Sequence, residues 1–157
     1  QEDKIADINE GLESTLNIIW NELKYKATVT KKYGEIPPIL CNLGQLNQVF
    51  INLLVNAAQS IENHGKVILE TRREGDFVVI EISDTGGGIP KETLGRIFEP
   101  FFTTKEVGKG TGLGLSICYD IIKNHGGEIQ VESQLGQGSR FTIMLPIHCE
   151  KNISARA

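Results

Sequence analysis

Asp84 closes the apolar run FVVIEIS and is followed by three glycines and an Ile-Pro pair, so residues 84–90 read DTGGGIP. A carboxylate at the end of a half-buried strand needs a donor to satisfy it. An exocyclic amine such as that of adenine would serve, with Gly86 and Gly88 letting the backbone approach a flat base. The alternative is a tight strand-end turn in which Asp84 is an Asx-type cap. The glycines form no standard phosphate fingerprint: GxGxxG would need glycine at 91, where Lys91 stands, and GxxxxGKS/T occurs nowhere in the chain.

Asn52 and Asn56 stand four apart in QVFINLLVNAAQSI, and with Gln59 they share the face opposite an apolar stripe. Asparagine is a poor residue for a helix interior. One reading is a solvated polar face. The other is an amide oxygen that binds a hard cation such as Mg²⁺, which takes oxygen ligands and bridges to nucleotide phosphates.

The second glycine cluster, GKGTGLGLS at 108–116, runs into a helix expected to begin near Leu113. Backbone N–H groups at a helix start, reinforced by the helix dipole, attract anions. Phosphate is expected there, and FFTTKEVGKG could close over a bound ligand as a lid. A simple loop is the alternative. Phe98, Phe101 and Phe102 are either core or the apolar base of that lid, and Lys105 and Lys109 either pair with phosphate or are solvated.

The elements that must hold these residues follow from periodicity. Ile5, Ile8, Leu12, Leu16, Ile19 and Leu23 recur at helical spacing and predict a helix over 4–22. A strand in YKATVTKKYG and a proline-bent connection, EIPPIL, come next. Residues 45–61 predict the strongest helix, with Leu46, Val49, Phe50, Leu53, Leu54, Ala57 and Ile61 on one side. KVILETRR and DFVVIEISD read as a hairpin, LGLSICYDIIKNHGG as a helix stopped at Gly126, and EIQVES and SRFTIMLP as two further strands. Hairpin-linked strands beside helices favour an α+β fold, a mixed sheet with helices on one face, over a doubly wound parallel sheet.

Composition narrows the function. The 157 residues suffice for one domain, and a net charge of −4 gives no reason to expect nucleic-acid or anionic-membrane binding. Protein or small-molecule partners are expected. Cys41, Cys118 and Cys149 are far apart and show no CxxC spacing, so neither a disulfide framework nor a zinc site is indicated, and a reducing compartment fits. No apolar run approaches the ~18 residues of a membrane span. A chain that opens on Gln1 is expected to be a piece of something longer.

Taken in order, four blocks resemble the catalytic ATP-binding domain of two-component sensor histidine kinases, in the GHKL ATPase superfamily. QVFINLLVNAAQSI is similar to its N box, DTGGGIP to its first glycine box, IFEPFFTTK to its F box and GKGTGLGLSI to its second glycine box. The resemblance covers residues 25–147. It implies the Bergerat fold, a two-layer α/β sandwich with a mixed, mostly antiparallel sheet of about five strands on about three helices. Residues 1–24 would then join an upstream acceptor domain, and 148–157 would be a polar tail.

By the same resemblance Asn56 binds Mg²⁺, Asn52 supports the phosphates of ATP, and Asp84 reads the adenine amino group. Gly86 and Gly88 shape the base pocket, with Ile89 against the base. Gly110, Thr111, Gly112, Leu113, Gly114 and Leu115 line the lid and phosphate side, and Thr142 matches a position near adenine. Three departures stand out. Thr103 occupies a place where many relatives have a basic residue, so Lys105 is expected to supply that charge. Gln59 stands where many have a phosphate-contacting lysine. Asn52 stands where the clamp ATPases of the superfamily have a glutamate; asparagine is no general base, which favours phosphoryl transfer over hydrolysis.

The nucleophile is expected elsewhere, because His64, His125 and His148 all lie outside the acidic, proline-flanked helical context of a family phosphoacceptor. The resemblance thus implies an upstream dimerisation and phosphoacceptor domain and a response-regulator receiver domain as partners. The isolated domain would be a monomer, its parent a homodimer, and the domain cytoplasmic whether or not the parent is anchored in the inner membrane. Two alternatives use the same pocket: a serine-directed kinase of the anti-sigma type, and a nucleotide-sensing module that transfers nothing.

Overall fold

The computed structural model describes residues 3–100, 102 and 114–147. Within them the order is β1 (Lys4–Ala6), α1 (Ile8–Leu23), β2 (Ala27–Tyr33), β3 (Ile39–Cys41), α2 (Leu43–Ser60), β4 (Gly65–Glu74), β5 (Phe77–Asp84), α3 (Lys91–Leu94), α4 (Gly114–Asn124), β6 (Glu128–Gln134) and β7 (Gly138–Pro146). Five strands form one sheet in the order β2-β4-β5-β7-β6. Only β2 and β4 pair in parallel. A parallel pair needs a crossover connection, and α2 lies in it.

Strand alternation divides the sheet into two faces. Ile80 opposes Ile143, Ile82 opposes Phe141 and Asp84 opposes Ser139, so these residues share one face. Helices α1, α2 and α4 cover it: Leu12, Leu16, Leu46, Phe50, Leu53, Leu54 and Ile122 join those strand residues in one buried cluster. Each fully buried Leu or Ile there contributes about 1.5–3 kcal/mol. The other face is charged, with Arg72 paired to Glu70, Glu74 and Glu81. The expected α+β architecture, a mixed sheet of this size with three main helices on one side, is what the chain adopts.

Polar contacts attach α1 to the sheet edge. Lys31 Nζ and Tyr33 OH donate to the two carboxylate oxygens of Glu13 at 2.9 and 2.7 Å. These donors hold the Glu13 carboxyl below its ordinary range. Near the start of the helix, Thr71 Oγ1 donates to Asn9 Oδ1 at 2.7 Å and Asn9 Nδ2 donates to Gly34 O at 3.1 Å.

Some boundaries differ from the sequence reading. The first helix starts at Ile8 rather than residue 4, because Asp7 caps it by accepting from Asn9 N–H at 2.9 Å. Lys4–Ala6 instead pairs antiparallel with Ile39–Cys41, so EIPPIL ends in a strand. Helix α2 starts two residues before the expected 45, where Asn42 accepts from Gln45 N–H at 3.1 Å. The four-residue α3 has no periodic signal to announce it.

Candidate functional site

Helix α2 carries no charged residue: its sequence is LGQLNQVFINLLVNAAQS. Leu46, Val49, Phe50, Leu53, Leu54, Ala57 and Ala58 are buried on one side. Asn52 and Asn56 are half-buried on another, and Gln59 is exposed beside them. Two contacts orient Asn52. Its Oδ1 accepts from Gln48 Nε2 at 2.8 Å, and its Nδ2 donates to Gly114 O at 3.2 Å. Gly114 is the first residue of α4, so the first asparagine of the pair meets the end of the second glycine cluster.

The other end of α2 meets the first glycine cluster. Asp84 is only 8% exposed. Its Oδ1 accepts from Gly86 N–H at 2.8 Å and from Ser60 Oγ–H at 3.1 Å. Burial pushes the Asp84 carboxyl above the ordinary range, and the donors from Gly86, Ser60 and Ser139 pull the other way. Gly87 N–H donates to Ser60 O at 3.0 Å, which seats the loop on the helix end.

What stands against the loop glycines is protein. A Cβ at Gly86 would lie 2.1 Å from Ser60 Oγ and 2.6 Å from Ser60 O. Gly88 has φ +77, and a Cβ there would lie 2.1 Å from Gln134 O. Ile89 is half-buried against the core, and its N–H donates to Ser133 Oγ at 2.7 Å. The loop is therefore held on three sides, by α2, β6 and the strand it leaves.

Residues 42–148 match a family model described as "Histidine kinase-, DNA gyrase B-, and HSP90-like ATPase". The chain belongs to this family. Sensor kinase CckA of Brucella abortus (strain 2308) is 49% identical over 124 residues, 69% of this chain and 13% of CckA. Sporulation kinase C of Bacillus subtilis (strain 168) is 37% identical over 147 residues, 92% of this chain and 34% of that kinase. The chain thus spans a third or less of the length of these two relatives. The catalytic domain of histidine kinase ThkA superposes with a TM-score of 0.84 at 30% identity, covering 94% of this chain and 97% of that one. ThkA is also known in complex with response regulator protein TrrA; there the TM-score is 0.80 at 28% identity, covering 95% of this chain and 43% of that one.

The histidine-kinase ATPase domain places its expected site residues unevenly. Asn52, Asn56, Gln59, Asp84, Gly86, Gly88 and Ile89 lie along α2 and the loop seated on its end, and Gly114, the first residue of α4, meets α2 through Asn52. Leu115 is half-buried against the core on α4. Lys105, Gly110, Thr111, Gly112 and Leu113 lie outside the described residues, as do Phe101 and Lys109. Phe98 packs on Tyr119 and Phe141, with ring centroids 5.6 and 6.5 Å apart, and Phe102 lies under the Arg96 guanidinium at 4.9 Å.

Thr142 is a correction. It opposes Glu81 and Gln130, out of phase with Phe141, Ile143 and Leu145, so it sits on the charged face, away from Asp84. The residue of that strand beside Asp84 is Ser139, which is 8% exposed. Ser139 and Ser60 are the two contacts to Asp84 that the sequence reading missed. Both were within reach: Ser139 shares the alternation of the buried strand positions, and Ser60 follows the asparagines on the same helix. Beneath Asn52, burial pushes the Cys118 thiol up to about 12, so it is packing rather than a nucleophile.

Proposed function

We propose that this domain binds Mg-ATP and donates its γ-phosphoryl group to a histidine on a separate dimerisation and phosphoacceptor domain of the same protein, in two-component signalling. One observation carries the reading: a single uncharged helix, α2, touches Asp84 at its last residue, Ser60, and Gly114 from its middle, at Asn52. Eight residues of helix separate those contacts by about 12 Å, a span suited to a purine at one end and its phosphates at the other.

In this reading the buried Asp84 carboxylate accepts the adenine amino group, with Gly86, Gly88 and Ile89 forming the base end. Asn52 serves the phosphates, together with Gly110, Thr111, Gly112, Leu113, Gly114 and Leu115 and the charge of Lys105, and Gln59, one residue before Ser60, contacts the nucleotide nearer its base end. Asn56 offers one neutral oxygen to Mg²⁺, and α2 has no carboxylate to add. That fits an ion that keeps its waters and takes phosphate oxygens as its other ligands. When bound, Mg²⁺ would supply charge neutralisation to the phosphates, held on the protein side by the Asn56 amide oxygen.

The protein's part in transfer is to hold the nucleotide in place for in-line attack. Asn52 supplies no base to activate water, so the acceptor is a side chain brought by another domain. Residues 25–147 act as the kinase domain and residues 1–24 connect it to that acceptor, although α1 shares the kinase core. A response-regulator receiver domain then takes the phosphoryl group. The domain works in the cytoplasm as a monomeric unit of a homodimeric parent; among the described residues no helix is long and apolar enough to cross a membrane.

The test is to incubate the parent protein with γ-labelled ATP and Mg²⁺ and challenge the label with acid. Acid-labile, base-stable label supports the histidine reading. Acid-stable label means a serine-directed kinase, and ATP binding without label means a nucleotide-sensing module; either overturns it.

A further inference from the structure

Ser60 is the last residue of α2, and three of its features converge on Asp84 and the loop behind it. Its hydroxyl lies 3.1 Å from Asp84 Oδ1, it occupies the space a Cβ at Gly86 would need, and its carbonyl accepts from Gly87 N–H at 3.0 Å. The hydroxyl has one proton and two acceptors in range, Asp84 Oδ1 and Ala57 O at 2.8 Å. An ionised carboxylate is the stronger acceptor. When Asp84 is charged the proton is drawn to it, and when Asp84 is neutral the proton returns to the helix carbonyl.

We propose that Ser60 is a positioning residue for base recognition: with Gly86 N–H it fixes Oδ1 of Asp84 and keeps the carboxylate ionised, so that its second oxygen accepts from the amino group of the base. This rests on the reading of Asp84 as the adenine contact and adds the residue that makes that contact selective.

The surroundings leave this task to neutral donors. Among the described residues α2 has no charged side chain, Val67 of β4 and Ser139 of β7 stand opposite Asp84, and residues 85–90 carry no charge. Alternation sends Lys66 and Arg140 to the other face. Lys26, the cation that reaches α2, donates to Ala58 O at 2.8 Å. Removing the Ser60 hydroxyl therefore removes a donor that favours the ionised carboxylate, and among the described residues no cation stands near enough to replace it.

The test measures affinity of wild type and Ser60→Ala for ATP and for purine riboside triphosphate, which lacks the amino group, across pH 4.5–8. Wild type should prefer ATP. Ser60→Ala should lose roughly 3- to 10-fold in ATP affinity, the scale of one hydrogen bond. Its affinity for the amine-free analogue should change little, and its acid-side loss of ATP binding should move to higher pH. Equal losses for both nucleotides with an unmoved acid limb would show that Ser60 only holds the loop, and the proposal falls alone. A wild type indifferent to the amino group would overturn the adenine reading and the proposal together. Thermal melts of both proteins confirm that the variant is folded.

Discussion

Asn52 Nδ2 donates to the carbonyl oxygen of Gly114 across 3.2 Å, joining the middle of α2 to the first residue of α4. A helix-start carbonyl has its own helical partner further along, so this contact is a second bond that ties two helices at the mouth of the site. Asn52→Ala should lower stability by about 0.5–1.5 kcal/mol, the usual worth of such a bond. Asn52→Asp should cost more at neutral pH, because a carboxylate cannot donate and faces a carbonyl. Urea unfolding of the three proteins checks the order.

Asp84→Asn should abolish ATP binding, read by calorimetry, while changing stability in the opposite sense with pH. The Asp84 carboxyl titrates above its unfolded value, so near that range the folded state binds more protons than the unfolded state. Stability from neutral Asp84 is present at acid pH and lost as pH rises through its folded value. Asparagine stays neutral throughout, so the urea midpoint of the variant relative to wild type should improve between pH 4 and pH 8. A flat difference would show that Asp84 is not strained by burial.

His125 joins the end of α4 to the start of α2: its Nδ1 lies 2.8 Å from Ile121 O, and Asn42 N–H donates to its Nε2 at 3.1 Å. The ring is thus the tautomer with hydrogen on Nδ1. His125→Ala should cost about 1–3 kcal/mol, since the Asn42 N–H loses its acceptor. His125→Gln, which can both donate and accept, should recover part of the loss in thermal melts.

Gly86→Ala puts a methyl 2.6 Å from the Ser60 carbonyl oxygen, a backbone atom that cannot swing aside. The loop must lift from α2, with an expected loss of about 1–3 kcal/mol and weaker nucleotide binding. By contrast, Thr142→Val lies on the charged face and should leave ATP affinity within about twofold, below a typical hydrogen-bond effect.

These contrasts show what the sequence made legible. Helix periodicity, strand alternation and the glycine cluster after Asp84 were sufficient to place α2, the sheet and the loop between them. The resemblance puts Thr142 near adenine, whereas the alternation of FTIMLP puts it on the far face from Phe141. Ile5 mimicked the helical spacing of Ile8, and the cap at Asp7 was the signal that separated them. The contact between Ser60 and Asp84 spans 24 positions and depends on how far α2 extends before the sheet turns back. Local patterns do not carry such a distance.

The straight run of α2 between Asn52 and Ser60 limits which insertions and deletions this protein can accept. One residue added between them would rotate Ser60 by about 100° about the helix axis and advance it by about 1.5 Å. The hydroxyl would leave Asp84, and the asparagine pair would no longer face the same gap as the loop. Length variation is therefore confined to the surface turns on either side, and the spacing of NLLVNAAQS acts as a gauge that descendants of this chain must keep.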